Sequence, residues 1–163
     1  MAAPIRNAQL DALLQTRPSP AAPKPEATDE EGKAIAWDQV FTNRWVLIYS
    51  YPKADTPGCT AQACSLRDEF AKLTDKGVKV FGVSTDKAEA QRAFKAKHNL
   101  PFTLIPDTEG RVLAAYGIGR IPVMGLAKRE AILVREGRVV WIDRAASTAK
   151  QAADVLAQIE AAK

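Results

Sequence analysis

At 163 residues, the chain has the length of one domain with a substantial hydrophobic core. Its 47% hydrophobic and 26% charged residues exclude a disordered or fibrous protein and indicate an ordinary globular one. The formal net charge is +4, but the 23 basic and 19 acidic residues are spread along the chain, without a basic run interleaved with aromatic residues. The composition therefore predicts a solvated surface of mixed charge and no nucleic-acid partner.

The sequence carries no pattern that predicts insertion into a membrane. No apolar stretch approaches the roughly 20 residues of a membrane-spanning helix, and residues 1–25 lack the continuous apolar segment of a secretory signal. We therefore expect a cytoplasmic protein without a membrane partner. Structural disulfides rarely persist in that compartment, so the two cysteines, Cys59 and Cys64, are expected to be catalytic, redox-sensing or metal-binding.

The N-terminal 35 residues are predicted to form an arm and a proline-rich linker that precede one domain over residues 36–163. Residues 1–16 have the spacing of a short amphipathic helix on Leu10, Leu13 and Leu14. The next stretch, RPSPAAPKPEA, has four prolines and little apolar bulk, which favours an extended linker. The segment TDEEGKAIAW is typical of a turn that enters an edge strand.

From residue 44 onward, strands and helices are predicted to alternate. The run RWVLIYSY is almost continuously apolar, as in a strand buried on both faces. A helix is predicted from Thr56 to about Asp75, followed by a second buried strand over residues 78–84. Asp86 and Glu89 have the spacing of a capping box, which predicts a helix through about His98.

The C-terminal half continues the same pattern. A short strand in PFTLI and a short helix closed by Gly117 are followed by a hairpin that turns at Glu136-Gly137. The last predicted helix is amphipathic on Ala152, Val155, Leu156 and Ile159. This order predicts an α/β fold in which a mixed central sheet is flanked by helices.

The start of the predicted Thr56 helix is well specified and places a cysteine in its first turn. Threonine is a preferred N-cap and proline is favoured at the first helical position, so Thr56-Pro57 puts Cys59 at the third position. A thiol there lies beside unpaired N–H groups at the positive end of the helix dipole. Such surroundings lower a cysteine pKa from about 8.5 toward about 3.5–7.5.

The second cysteine is predicted to lie on another face of the same helix. Cys59 shares the core-facing stripe with Ala63 and Leu66, whereas Cys64 falls on the wetter side. A separation of about 140° and the rise along the helix put the two Cα atoms about 8–9 Å apart, beyond the roughly 4.4–6.8 Å of a disulfide. The pair can bond only if the helix unwinds, which suits a Cys59 sulfenic acid, formed by attack on a peroxide, that Cys64 later resolves.

Two other interpretations of the cysteines stay open. Free cysteines often fill a helix as small apolar residues, without any chemistry. Metal binding is the weaker alternative, because only two sulfur ligands are present, the sole histidine, His98, is distant in sequence, and the spacing splays the ligands apart. We expect neither a metal nor another cofactor.

The stretch YSYPKADTPGCTAQACSLRDEF resembles the bacterioferritin-comigratory (PrxQ-like) branch of the peroxiredoxins. Pro52, Thr56 and Cys59 match the family's Pro-x-x-x-Thr-x-x-Cys pattern, and Cys64 matches the second cysteine of the branch. The resemblance covers roughly residues 37–160. It implies a thioredoxin-like fold and reduction of hydroperoxides through a peroxidatic Cys59, with Cys64 as resolving cysteine and thioredoxin as the usual reductant.

The resemblance also implies an active-site arginine, which here is Arg129, at the start of the first hairpin strand. With Thr56 and backbone N–H groups near Cys59, its guanidinium would stabilise charge on the leaving oxygen, and Pro52 would shield the thiolate from water. Ala131 stands where the family has a hydroxyl residue, which affects the positioning of Arg129. Neither the Gly-Gly-Leu-Gly nor the Tyr-Phe motif of ring-forming peroxiredoxins occurs, so a monomer is expected.

Each of these side chains also has a purely structural interpretation. Thr56 can act as a helix cap alone, Pro52 can simply end the strand, and Arg129 can pair with Glu130 at the surface while Lys128 or Arg120 serves as the cation. Two rival functions remain. One is a thioredoxin-type disulfide oxidoreductase, although that class carries Cys-x-x-Cys and a cis-proline before the facing strand. The other is a non-enzymatic, redox-switched binding module.

Overall fold

The computed structural model describes residues 19–162, which form one central sheet with helices packed around it. The strands are β1 (Trp45–Ser50), β2 (Val78–Ser84), β3 (Thr103–Pro106), β4 (Glu130–Arg135) and β5 (Arg138–Asp143). The helices are α1 (Trp37–Val40), α2 (Pro57–Asp68), α3 (Phe70–Asp75), α4 (Ala88–His98), α5 (Arg111–Ala115) and α6 (Gln151–Ala161). The short helix expected in residues 1–16 lies outside the described residues.

The sheet order is β3-β2-β1-β4-β5. β1 pairs in parallel with β2 and β2 with β3, whereas β1–β4 and β4–β5 are antiparallel. The predicted α/β fold with a mixed sheet is therefore confirmed. Parallel neighbours on one side and a hairpin on the other place the carboxyl end of β1 beside the first residues of β4, where Ser50 pairs with Glu130.

β1 is the centre of the sheet because both of its faces are apolar, and all six of its residues are buried. Leu47 and Tyr49 belong to a core shared with α2, α4 and α6. Val46 and Ile48 belong to a second core on the opposite face, with Trp37 and α5. The segment after β1 leads into α2, which packs on the same face of the sheet, so Cys59 of α2 contributes to the first core.

The predicted hairpin is confirmed, with its turn at Glu136-Gly137. Both residues have positive φ values, 49° and 78°, as a two-residue turn between twisted strands requires. The last helix is confirmed as α6, which buries Ala152, Val155 and Ile159 against the first core.

Three local predictions were wrong. The cysteine helix does not run unbroken to Asp75, because the backbone leaves helical geometry at Glu69 and Phe70 then packs against Phe102. No capping box forms, since α4 begins at Ala88 without a side-chain cap and the Asp86 carboxylate accepts from Ala54 N and the Ser84 hydroxyl instead. The expected edge strand is only an isolated bridge between Thr28 and Ala34, followed by α1.

Residues 19–36 pack against the second core without regular secondary structure. Ala22 is buried, the Tyr116 hydroxyl donates to the Pro23 carbonyl over 2.7 Å, and the Trp37 indole N–H donates to the Pro25 carbonyl. The carbonyls of Pro23 and Pro25 thus find their hydrogen-bond donors in the body of the protein. The division of the chain into an arm over residues 1–35 and a domain over residues 36–163 stays a prediction.

None of the helices in residues 19–162 combines the length and apolar character needed to cross a membrane.

Candidate active site

Cys59 lies in the first turn of α2, at the place that the sequence predicts. Pro57 is the first residue of the helix, so Cys59 is the third. Its side chain is only 1% exposed and faces the first core with Ala63 and Leu66. The sulfur therefore combines the first turn of a helix with a desolvated environment, where nearby donors interact strongly with an anion.

Thr56 occupies the N-cap position with an extended backbone, φ −93° and ψ 157°, but its hydroxyl does not cap the helix. It donates instead to the Lys53 carbonyl over 2.7 Å, which closes the loop between β1 and α2. The expectation of a side-chain cap is therefore wrong. Since no side chain caps α2, the N–H groups of its first turn are left for a ligand. Pro52 is half-buried in the same loop, directly after Tyr51.

The structure brings Arg129 to Cys59. Arg129 Nη2 lies 3.5 Å from Cys59 Sγ, and Nη1 donates to Gln62 Oε1 over 2.6 Å. The guanidinium fits there because Gly58 has no side chain: a Cβ on Gly58 would stand 2.9 Å from Nη2. A planar, permanently charged group with two donor edges is thus held against the sulfur.

The purely structural alternatives for the cation do not match this geometry. Glu130 is 2% exposed and forms its ion pair with Arg144, over 2.5 Å, rather than with Arg129. Arg120 donates to the Gly125 carbonyl, and Lys128 is exposed. Among the cations that the sequence offers, Arg129 is the one that the structure brings to Cys59.

The main chain around Arg129 is fixed by side chains of the sheet. The buried Ser50 hydroxyl donates to the Lys128 carbonyl over 2.7 Å and accepts from Glu130 N over 3.1 Å. Ala146 N donates to the Arg129 carbonyl. The residues on both sides of Arg129 are therefore anchored, and the side chain starts from a defined position.

Sequence reasoning missed Gln62 and Gln151. Both are 0% exposed, and Gln62 Nε2 donates to Gln151 Oε1 over 2.7 Å while Gln62 Oε1 accepts from Arg129. A signal for Gln62 was present, because it lies three positions after Cys59 on the core-facing stripe, where a polar side chain needs a partner. Gln151 carried no such local signal.

Cys64 lies in different surroundings. It is half-buried, and both cysteines are free thiols. The next residue, Ser65, lines a groove of about 350 Å³ between α2 and α6, together with Asp68, Ala152 and Leu156. The structure thus places the two thiols on a buried and a more accessible side of one helix, as predicted from the helical faces.

The loop between β1 and α2 is tied to α4. Asp55, whose φ is 62°, accepts from Lys97 Nζ over 2.8 Å and contacts His98 Nε2 over 3.1 Å. Hydrogen bonds from Lys97 and then His98 hold the pKa of Asp55 below its usual value. Ala54 N donates to Asp86 Oδ2 over 2.8 Å. The backbone that precedes Cys59 is therefore fixed by two contacts before the helix begins.

A buried network supports the second of these contacts. The Tyr51 hydroxyl donates to Gln91 Oε1, Gln91 Nε2 donates to the Ser84 hydroxyl, and that hydroxyl donates to Asp86. Burial raises the pKa of Tyr51, so this hydroxyl stays protonated and remains a donor. The network links the ends of β1 and β2 to the loop that carries Pro52 and Thr56.

Within residues 19–162, there is no cluster of three or more His, Cys, Asp or Glu side chains that could hold a metal ion. The arrangement offers instead a buried sulfur, a guanidinium against it and uncapped N–H groups. These groups can stabilise a thiolate and the negative charge that develops on a leaving oxygen.

Comparison with known proteins shows which family this chain is similar to. The model of the AhpC/TSA family matches residues 18–142. Chloroplastic peroxiredoxin Q of Sedum lineare is 34% identical over 140 residues, which are 86% of this chain and 74% of that protein. The chain spans 56–58% of the length of other curated relatives that it matches, among them a peroxiredoxin of Schizosaccharomyces pombe.

Solved structures share the fold of this chain. Peroxidoxin BcpB of Mycobacterium tuberculosis superposes with a TM-score of 0.81 and 26% identity, covering 89% of this chain and 97% of that one. The bacterioferritin comigratory protein of Xanthomonas campestris gives 0.76 and 27%, covering 86% and 98%. The likeness therefore extends over most of this chain and nearly all of each solved structure.

Proposed function

Because this chain belongs to the AhpC/TSA family, in its bacterioferritin-comigratory and peroxiredoxin Q branch, we propose that it is a thiol-dependent peroxidase. It reduces hydrogen peroxide and organic hydroperoxides through Cys59 and forms an intramolecular disulfide with Cys64. The thioredoxin-like fold expected from the sequence is the fold of its structural neighbours.

The observation that carries the proposal is the 3.5 Å contact between Arg129 Nη2 and Cys59 Sγ in the first turn of α2. A buried cysteine that only fills space needs no guanidinium beside it. A cysteine that must react as an anion does, because an isolated charge is costly to bury. The site therefore supports a nucleophilic sulfur rather than an inert one.

In the first step, the Cys59 thiolate attacks one peroxide oxygen. A sulfur–oxygen bond forms while the oxygen–oxygen bond breaks, and the leaving oxygen departs as water or an alcohol after it takes a proton. Arg129 and the uncapped N–H groups of α2 stabilise the charge on that oxygen, and the closed Thr56–Lys53 loop shapes the approach. Pro52 limits the access of water to the sulfur.

In the second step, the Cys64 thiol attacks the Cys59 sulfenic acid. A disulfide forms and water leaves. Both sulfurs sit on α2, so the first turns of the helix must unwind before they can meet. A reduced dithiol then exchanges with the disulfide and restores both thiols, and thioredoxin is the reductant that we propose.

We propose, by analogy with a relative, that the substrate class includes alkyl hydroperoxides. The bacterioferritin comigratory protein of Xanthomonas campestris has alkyl peroxide reduction activity. We further propose that this protein acts as a monomer in the cytoplasm, without nucleic acid or membrane partners.

A coupled assay tests the proposal. Purified protein, thioredoxin, thioredoxin reductase and NADPH are mixed with hydrogen peroxide or cumene hydroperoxide, and NADPH loss is followed at 340 nm. We expect many turnovers per protein molecule. A single stoichiometric conformational change, with no turnover, would favour the redox-switched binding module instead.

The disulfide oxidoreductase alternative is tested with the same preparation. That class holds a proline opposite its cysteines, whereas here Arg129 faces Cys59 and Pro122 stands in an exposed turn. We expect reduction of insulin disulfides by the dithiol form to be negligible beside peroxide turnover. The reverse ratio would support that class.

A further inference from the structure

A chain of three polar side chains leads from Cys59 to the C-terminal helix. Arg129 contacts Cys59, Gln62 accepts from Arg129 over 2.6 Å, and Gln151 accepts from Gln62 over 2.7 Å. Gln151 is the first residue of α6, and 89 positions separate it from Gln62. The cysteine site is therefore connected to a part of the fold that contributes no group to the sulfur.

The Arg129 guanidinium determines the direction of each hydrogen bond in this series of side chains. Arginine has donors only, so Gln62 must present its oxygen to Arg129. The Gln62 NH₂ group then faces Gln151, which must also present its oxygen. Arg129 thus donates to Cys59 on one side and to Gln62 on the other, and the series ends at Gln151 Nε2, a buried donor with no acceptor among the described residues.

The packing of α6 does not require this pair. Val155 and Ile159 already join α6 to the first core, and both are at most 2% exposed. Two buried amides, one with an unpaired donor, are less favourable for stability than apolar side chains of the same shape. Their presence is explained if the pair has a role in the site.

We propose that Gln151 is a positioning residue for the reaction of Cys59, acting through Gln62 and Arg129. Its Oε1 holds the Gln62 amide in the orientation that presents Oε1 to Arg129 Nη1. That contact fixes the plane of the guanidinium, so that Nη2 reaches Cys59 Sγ and the leaving oxygen. This inference rests on the proposed peroxidase function and adds the C-terminal helix to its machinery.

The test is Gln151→Met in a Cys64→Ser background, where oxidation of Cys59 is followed as a single turnover. Methionine keeps the length of the side chain but offers no comparable acceptor. The variant exchanges one unpaired buried donor for another, on Gln62, so the melting temperature is expected to change little. The rate of Cys59 oxidation by hydrogen peroxide should fall about threefold to tenfold, as for a weakened hydrogen bond.

Gln158→Met is the matched control, because Gln158 lies on the same helix two turns later and is half-buried. Its oxidation rate should equal that of the parent. Gln151→Asn, which is too short to reach Gln62, should repeat the effect of Gln151→Met and takes its place if the methionine variant does not fold.

A double-mutant cycle separates positioning from a general structural role. In an Arg129→Ala background, Gln151→Met should change the rate by less than about 1.5-fold, because the route through Arg129 no longer exists. An equal loss with and without Arg129, or no loss in either background, would overturn the inference. Failure of the proposed function is a different result: Cys59 of the Cys64→Ser parent would then not react rapidly with peroxide.

Discussion

Cys59 and Cys64 lie on the same helix, five positions apart, yet their surroundings differ sharply. Cys59 is 1% exposed and is surrounded by Arg129, the residue before β4, and by side chains on the buried face of α2. Cys64 is half-buried, and the residue after it lines an open groove. Two kinds of group therefore distinguish the sulfurs: the uncapped N–H groups of the first turn, which are local to Cys59, and the Arg129 guanidinium, which is distant in sequence.

The surroundings of the two cysteines also show which contacts must break before a Cys59–Cys64 disulfide can form. The start of α2 is held by Arg129, by the Gln62–Gln151 pair and by the Asp55 contacts to α4. In the later turns, Arg67 donates to the His98 carbonyl over 2.8 Å and the Ser65 hydroxyl accepts from Ala152 N. Disulfide formation must therefore release the anchors of the reactive cysteine.

The largest expected effect comes from exchanging the sulfur of Cys59. Cys59→Ser should abolish peroxide turnover in the coupled assay, because a serine hydroxyl is not ionised near neutral pH and cannot accept oxygen as sulfur does. The melting temperature should stay close to that of the parent, since the side chains are similar in size. Residual thioredoxin-dependent turnover above about one hundredth of the wild-type rate would contradict this role.

Cys64→Ser should separate the two steps. We expect one peroxide to be consumed per molecule at the wild-type rate, followed by arrest as a Cys59 sulfenic acid, because no internal thiol remains to resolve it. A burst experiment with quantified hydrogen peroxide measures this stoichiometry. If turnover with thioredoxin proved unchanged, Cys64 would not be the resolving thiol.

Arg129→Ala should slow the peroxide step about 100-fold or more, the usual loss when one preorganised donor for a developing oxyanion is removed. Reduction of the disulfide by thioredoxin should change much less, because the opened helix no longer uses this contact. Stopped-flow measurement of each half-reaction compares them. Arg129→Lys, which keeps the charge but not the planar fork, should recover part of the rate. Equal losses in both half-reactions would contradict the assigned role.

Gly58→Ala should slow the peroxide step about tenfold without destabilising the fold. The added methyl would stand 2.9 Å from Arg129 Nη2, and the guanidinium, as the end of a flexible side chain, can move away. Alanine is favoured over glycine within a helix by up to about 1 kcal/mol, so thermal denaturation should show an equal or higher melting temperature. In an Arg129→Ala background the methyl displaces nothing, and a further loss there would argue against this explanation.

Asp55→Asn should have the smallest effect and should act on the later step. The contacts of Asp55 with Lys97 and His98 are at the surface, where water and salt screen such pairs and their contribution to stability is small. Weakening them should loosen the start of α2, so that disulfide formation in peroxide-treated protein becomes about twofold faster while sulfenic acid formation is unchanged. Asp38→Asn, which breaks the surface pair with Lys24, is the matched control.

The stability difference between wild type and Asp55→Asn should depend on pH in a defined direction. The pKa of Asp55 is lowered in the folded protein, so its contribution to stability is present above the unfolded value of about 3.9 and is lost as the pH falls through the folded value. Melting temperatures of wild type and Asp55→Asn should therefore differ near pH 6 and converge in strong acid. A difference that grows as the pH falls below about 3 would contradict the assignment.

The sequence was sufficient for the features that depend on local patterns. The apolar run of β1, the Glu136-Gly137 turn and the position of Cys59 after Thr56-Pro57 follow from periodicity, turn chemistry and helix-start preferences. Arg129 was identified by family resemblance, because nothing in the local sequence says that the start of β4 faces α2.

Other features depend on competition between distant groups and could not be predicted. Thr56 had a competing partner in the Lys53 carbonyl, and Asp86 had one in Ala54 N, so neither side chain capped its helix. Gln151 meets Gln62 only because α6 packs beside α2. A sequence pattern shows which groups need a partner, but the fold decides which partner each one finds.

Peptide mapping by mass spectrometry after one equivalent of hydrogen peroxide, with dimedone present to label sulfenic acids, tests the central claim most directly. We predict a Cys59–Cys64 disulfide within single wild-type molecules, and in Cys64→Ser a dimedone adduct on Cys59 alone. Two results would contradict Cys59 as the reactive thiol. One is a dimedone adduct on Cys64 of Cys59→Ser that forms as fast as the Cys59 adduct of Cys64→Ser, and the other is a wild-type Cys59 that stays reduced.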